Sequence, residues 1–355
     1  MAKVIIGLSG GVDSAVAALL LKQAGYDVIG VTLRTWVADD GEENRCCEID
    51  DARDISRALG IPYHVFNCTS EFGEKVIEPF INDYISGMTP NPCIICNREI
   101  KWDKMMYYAK VLGADCIATG HYASVVKAAN GRFTVRKASH AEKDQAYMLY
   151  RLTQEQLAPT LMPLGGYSKQ EVREIAREAG LPVASKRDSQ EICFVPDDDY
   201  AGFIIKNAPG KVPGEGFFKD ERGNILGPHK GIIHYTVGQR KGLGIALGHP
   251  AYVKEIDSST GDVILAEEEA IFKKEIICGS LNYMSVPPLK MGESLRCSVK
   301  IRYHHGGESA VIEPLGEDRV RVTFDSPVRA ATPGQSAVFY DENDCVAGGG
   351  IILKD

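Results

Sequence analysis

Through the first third of the chain, short unbroken apolar runs alternate with stretches of helical period. Val4-Ile5-Ile6-Gly7-Leu8 is such a run, and a helical stretch over 13–24 follows, ended by Gly25. Continuous apolar runs of this length predict strands buried on both faces, and a glycine past the last helical residue supplies a left-handed cap. The pattern continues with a strand at 28–32, a polar loop at 38–45, a helix near 48–59 closed by Gly60, and a strand over 61–66 with Pro62 at its start. Helical periodicity returns over 71–87 and 99–111, and 115–118 is another buried strand. This βαβα order predicts an α/β fold built on a doubly wound parallel sheet, with its ligand at the carboxyl ends of the strands.

Later the punctuation changes. Residues 123–137 predict a hairpin turning at Asn130-Gly131, and Ser168-Lys169-Gln170-Glu171 is a capping box opening a helix that Gly180 closes. From about 205, Pro209-Gly210, Pro213-Gly214, Gly223-Asn224, Gly227-Pro228 and Gly261-Asp262 mark short strands joined by turns. Beyond about 270 the pattern is almost all β, with strict alternation over 295–302 and 319–324, as in a small barrel or sandwich. The expected domains are 1–204, 205–269 and 270–355. No internal repeat or low-complexity segment is visible.

A chain of 355 residues is too long for one ordinary core, which agrees with that division. No apolar run approaches the roughly 18–20 residues of a membrane span, and no signal-peptide pattern opens the chain, so no membrane partner and a cytoplasmic location are expected. The ten cysteines are scattered, and in a reducing compartment they are thiols, metal ligands or redox catalysts rather than structural disulfides. A net charge of −8 excludes nucleic-acid binding by bulk positive charge; any RNA contact must come from local patches. Arg296, Lys300 and Arg302 share one strand face at period two, with Tyr303-His304-His305 after them.

The most specific chemistry lies at Gly7-Leu8-Ser9-Gly10-Gly11-Val12-Asp13-Ser14. A buried strand feeds a glycine turn, and the turn opens a helix whose unsatisfied N–H groups and positive dipole end favour phosphate. Gly10 and Gly11 admit a pyrophosphate close to the backbone, Ser9 and Ser14 add hydroxyls, and Asp13 has the chemistry to hold a bridging metal ion. No lysine follows the glycines, which excludes the loop of NTPases that transfer the γ-phosphate. The hexapeptide Ser9–Ser14 resembles the pyrophosphate (PP) loop of the ATP-pyrophosphatase family, whose members adenylate a carbonyl oxygen and release pyrophosphate.

Cys93-Ile94-Ile95-Cys96 lies in a stretch with two prolines and two asparagines, a loop expected just ahead of a helix starting near Arg98; Cys193 follows far along the chain in Ser189-Gln190-Glu191-Ile192-Cys193. Thiols at a helix N-terminus ionise more easily. Structural zinc would need a second spaced pair, whereas Cys46-Cys47 is adjacent. Cys116 and Cys297 read as small core residues.

Six motifs then occur in order: the glycine turn, Asn91-Pro92-Cys93-x-x-Cys96-Asn97, Gly120-His121-Tyr122, Lys143-Asp144-Gln145, Ser189 to Cys193, and Tyr235 to Leu243. Together they resemble, end to end, the bacterial tRNA-specific 2-thiouridylase (MnmA) family. That resemblance implies a PP-loop domain, a small central domain and a C-terminal β-barrel. It also implies sulfur insertion at C2 of the wobble uridine in tRNAs for lysine, glutamate and glutamine, with ATP and Mg²⁺. Uridine O2 would be adenylated, and a sulfur supplied by a donor protein or sulfide would displace AMP. It further places Leu33 and Gly120 at the adenine and ribose, Asn91, Pro92 and Cys93 at the target base, and His121, Lys143, Asp144, Gln145, Arg302, Tyr303 and Gln335 against tRNA. Many members carry aspartate where this chain has Cys93. In those, Cys193 would carry a persulfide and Cys96 would be its partner thiol, with a disulfide as the resting product. With Cys93 present, the pattern is similar to thiolases that bind a [4Fe-4S] cluster through three cysteines. The added thiol favours that arrangement, and the persulfide stays open beside it. The competing readings are a PP-loop ligase that inserts nitrogen, which needs no cysteine trio, and a non-catalytic RNA-binding or sulfur-relay protein.

Overall fold

The structure, a computed structural model, describes residues 1–37, 48–184, 186, 192–195, 199–316 and 318–354. β1 (Lys3–Gly7) leads through the glycine turn into α1 (Val12–Gln23), and β2 (Asp27–Arg34), α2 (Ile49–Leu59) and β3 (Tyr63–Asn67) follow. α3 (Thr69–Phe72), a π-helical turn (Gly73–Ile77) and α4 (Glu78–Ile85) form one helical run; α5 (Pro92–Cys96), a second π-helical turn (Asn97–Trp102) and α6 (Asp103–Leu112) form another. β4 (Cys116–Ala118) precedes the hairpin of β5 (Ala123–Lys127) and β6 (Phe133–Lys137), and α7 (Gln154–Leu157), β7 (Thr160–Leu161), α8 (Lys169–Glu178) and α9 (Tyr200–Asn207) follow. The expected polar loop at 38–45 and most of the Ser189-Gln190-Glu191 motif lie outside the described residues.

The five strands pair in the order β3-β2-β1-β4-β7, every pair parallel, as the apolar runs predict. Side chains alternate along β1. Val4 and Ile6 pack under α1, α2 and α8, while Ile5 packs on the other face with Trp102 and Met105. Helices therefore cover both faces of the sheet. The chain runs outward from β1 in both directions, so a crevice opens where the carboxyl ends of β1 and β4 diverge. The turns after those two strands are residues 8–11 and 119–122.

One expectation needs correction. Residues 88–98 are not all a loop: the helix begins at Pro92, and Asn91 caps it by accepting the Cys93 amide at 3.2 Å. Asparagine followed by proline at the first helical position is a start signal in its own right, and it puts both cysteines inside the first turns. The capping box at Ser168 and Glu171 forms as expected.

β8 (Gly216–Lys219), β9 (Ile225–His229), β10 (Tyr252–Asp257) and β11 (Asp262–Ala266) make a four-stranded sheet in the order β10-β11-β8-β9. β12 (Phe272–Tyr283), β13 (Leu295–Lys300), β14 (Glu308–Gly316), β15 (Arg319–Arg329), β16 (Ser336–Tyr340) and β17 (Val346–Ile352) close into a barrel, the closed form of the two expected for this segment. Cys297, Val299 and Ile301 point into the barrel core while Arg296, Lys300 and Arg302 face outward. Burial pushes the Cys297 thiol up to about 12, which suits a core residue and no chemistry.

Candidate active site

The turn after β1 is shaped by its own side chains. The Ser9 amide donates to Ser14 Oγ at 3.2 Å, and Ser14 Oγ donates to the Gly11 carbonyl at 3.1 Å. Gly10 sits at φ +78°, where a Cβ would stand 2.8 Å from the Glu48 carbonyl oxygen. No side chain caps α1, so its leading amides face the crevice at the positive end of the helix. From the neighbouring strand, Gly120 comes so close that a Cβ there would lie 2.8 Å from the Ser14 nitrogen. Glycine at 120 lets the two strand ends meet at the site.

Asp13, the carboxylate that the sequence offers for a bridging metal ion, is paired with side chains from two other segments. Lys169 Nζ, at the start of α8, contacts its two oxygens at 2.7 and 2.9 Å, and Tyr122 Oη donates to it at 2.6 Å. A second lysine beside the turn, Lys186, donates to the Gly10 carbonyl at 3.3 Å and pairs with Glu48 and Asp51. Neither lysine was singled out from sequence. Each lies far from the turn in the chain, so no local spacing marks it.

A cavity of about 400 Å³ occupies the crevice. Gly7, Leu8, Ser9, Gly11, Val12, Asp13, Ser14, Leu33 and Gly120 line it; Gly10, expected with them, is not among the lining residues. On the facing wall stand Pro92, Cys93, Cys96 and Cys193. Cys96 is buried beside Phe72, Phe80 and Phe194; Cys193 packs against the same cluster, and Cys93 is exposed. Two cysteine segments nearly a hundred residues apart thus reach the mouth of the site the glycine turn builds. Among the described residues, no three His, Cys, Asp or Glu side chains are gathered as a ready metal site. Lys101, Lys143 and Lys186 bring positive charge to the cavity, complementing a polyanionic ligand.

The expected RNA-facing residues divide. His121, Lys143 and Gln145 line the cavity. His121 is half-buried with Nδ1 2.9 Å from Thr119 Oγ1; burial and the Lys101 charge hold its imidazole down to about 3, so it is neutral at physiological pH. Gln145 accepts the Tyr122 amide at 2.9 Å. Asp144 is buried and faces inward, its carboxylate taking the Ala138 and Ala146 amides. Tyr303 Oη donates to the Asp144 carbonyl at 2.9 Å, Arg302 donates to the Arg329 carbonyl at 3.1 Å, and Gln335 Nε2 donates to the Thr89 carbonyl at 2.7 Å. Asn91 lies outside the lining as the cap of α5 and donates weakly to Met148 Sδ at 3.5 Å.

Comparison with known proteins agrees with this geometry. Residues 2–197 match a family profile described as a tRNA methyl transferase HUP domain, 202–267 a PRC-barrel domain of the same family, and 273–352 an aminomethyltransferase β-barrel domain. A tRNA-specific 2-thiouridylase MnmA of Lachnoclostridium phytofermentans is 52% identical, with all of both chains covered. The protein of that name from Clostridioides difficile is 51% identical over 99% of this chain and 98% of its own. The solved U34-tRNA thiolase NcsA of Methanococcus maripaludis, with its [4Fe-4S] cluster, superposes with a TM-score of 0.36 at 20% identity, covering 59% of this chain and 67% of that one, too distant to carry an argument. Identity at this level along the whole length, over a glycine turn and a cysteine wall that share one cavity, places the chain in the tRNA-specific 2-thiouridylase MnmA family.

Proposed function

We propose that the protein is a tRNA-uridine 2-sulfurtransferase that uses ATP to exchange O2 of the wobble uridine for sulfur in tRNAs for lysine, glutamate and glutamine. The observation that carries this is the single cavity lined by both the glycine turn and the three cysteines. A nitrogen-inserting ligase has no use for that second wall, and a non-catalytic RNA-binding protein has no use for the first. Uracil C2 is a poor electrophile and its oxygen a poor leaving group. Adenylation corrects both, and the amides of α1 with the Ser9–Ser14 turn are placed to hold the phosphates. The base must leave the anticodon stack and enter beside Pro92 and Cys93. His121, neutral and hydrogen-bonded, offers an uncharged wall to it.

Mg²⁺ accompanies ATP in this reading. Asp13, held in place by Lys169 and Tyr122, would be the carboxylate beside that ion. Cys93, Cys96 and Cys193 have the donor chemistry of a [4Fe-4S] site and would hold such a cluster. Held there, such a cluster would supply the sulfur nucleophile for the activated uridine. The second reading, which uses two of the same thiols, is a persulfide on Cys193 with Cys96 as its partner. The units 1–204, 205–269 and 270–355 are proposed as nucleotide-binding, central and RNA-docking barrel domains. The test is incubation with ATP, Mg²⁺, unmodified tRNA transcript and a sulfide or persulfide source, followed by mass analysis of the digested nucleosides. The expected product is 2-thiouridine with tRNA-dependent pyrophosphate release. A methylated or nitrogen-substituted uridine, or pyrophosphate release indifferent to tRNA, rejects the reading.

A further inference from the structure

Along the run from Pro92 to Leu112 the residues on the cavity wall are Pro92, Cys93, Cys96, Lys101 and Met105. The steps of three and four residues are those of one α-helix face, but the step from Cys96 to Lys101 is five. In a continuous α-helix, residue i+5 lies about 140° around from residue i and faces away. The π-helical turn Asn97–Trp102 absorbs one extra residue at this point, and a π turn brings residue i+5 nearly over residue i. The insertion thus does one specific thing to the site: it rotates Lys101 and Met105 onto the wall that carries the thiols. Met105 then fixes where along the cleft Lys101 stands. A Cβ on Gly7 would lie 3.3 Å from Met105 Sδ, so Met105 abuts the glycine turn, and Lys101 lies between that contact and Cys96.

We propose that Lys101 is a catalytic residue that holds the α-phosphate of ATP during adenylation of the uridine. This rests on the function proposed above. With pyrophosphate held at the amides of α1 and the attacking sulfur on the cysteine wall, the α-phosphate must lie between them, which is the stretch Lys101 spans. In that step O2 of the uridine forms a bond to the α-phosphorus. The bond from phosphorus to the bridging oxygen breaks, its electron pair leaves on pyrophosphate, and the N3 proton passes to water. Lys101 exchanges no proton; its ammonium offsets charge gathering on the phosphoryl oxygens. Its charge is already felt at the neighbouring imidazole of His121.

The experiment measures tRNA-dependent pyrophosphate release by the full chain against ATP concentration, for wild type, K101M and K101R, with melting temperatures alongside. For K101M, turnover falls by about 100-fold while half-saturation by ATP moves less than about threefold, as for loss of one donor to a transition state. K101R, which keeps the charge, recovers at least about a tenth of the wild-type rate. K101M turning over within about threefold of wild type overturns the proposal, as does a rate loss matched by equal loss of ATP binding and thermal stability. Wild-type protein without tRNA-dependent pyrophosphate release instead sinks the function on which the proposal rests.

Discussion

Asp13 sits in the first turn of α1, where a bare carboxylate would repel the phosphates that the same turn attracts. Lys169 resolves the conflict by pairing with both of its oxygens, and its ammonium is mostly shielded from solvent. Removing that partner leaves a half-shielded charge facing a polyanion. Lys169→Met is therefore expected to raise KM for ATP about tenfold and to destabilise the fold on the order of 1 kcal/mol, with Asp13→Asn in the same chain restoring part of both. Steady-state kinetics and thermal melts of the single and double variants check it; unchanged KM in Lys169→Met refutes it. At Cys93 the question is which sulfur chemistry the wall performs. Anaerobic purification is expected to yield about four irons per chain, lost in Cys93→Ala, as three-thiolate cluster ligation requires. A metal-free protein fully active with a persulfide donor would instead assign the reaction to Cys96 and Cys193.

At the scale of elements, most of the fold was readable. The strand at 115–118 and the helix at 48–59 appear within a residue or two of where periodicity put them, because buried runs and glycine caps are local signals. The run from Pro92 to Leu112 was only half readable. Its start lies in a capping asparagine and a proline that also suit a loop, and its π-helical turn leaves no mark in a hydrophobic pattern. Asp83, in the last turn of α4, shows what an element pays for its packing. Burial raises its carboxyl to about 6, and no charged partner contributes to the shift. Because the folded-state value lies above that of the unfolded chain, the folded state binds the extra proton between about pH 4 and 6. Stability is lost as pH rises through that window, and the cost is fully present above it. Asp83→Asn is expected to raise stability at pH 7.5 on the order of 1–2 kcal/mol and to leave it unchanged near pH 4. Equal effects at both pH values would show that the charge is not the cause.

Across the whole molecule, three units converge on one loop. The Thr89 amide donates to the Pro333 carbonyl at 2.9 Å, its carbonyl accepts from Gln335, and its hydroxyl lies 3.3 Å from that of Thr236. Thr236, between strands of the central sheet, and Pro333 and Gln335, just before β16 of the barrel, thereby hold the chain two positions before the cap of the cysteine helix. Net charge over the molecule is −8, so tRNA must be held by local basic groups, among them the outward face of β13 and the turn after it. Log affinity for tRNA is expected to fall steeply and linearly with log salt, and Arg302→Ala is expected to reduce the slope by about one. Binding measured from low to moderate salt checks this, and a flat salt dependence rejects phosphate docking on this face.

The glycine turn, the Cys93-x-x-Cys96 pair and the order of the units were written in local spacing, whereas Cys193 was joined to that pair only through resemblance to a known family. Strand, turn and helix signals are short-range, and a phosphate turn is contiguous in the chain. The tertiary structure alone decided that Cys193 joins Cys96 beside one aromatic cluster at the cavity, that Lys169 and Lys186 are bound to the turn, and that Asp144 faces inward. Those outcomes depend on how distant segments pack. A lysine side chain carries no record in its own sequence neighbourhood of which carboxylate the folded sheet will bring beside it.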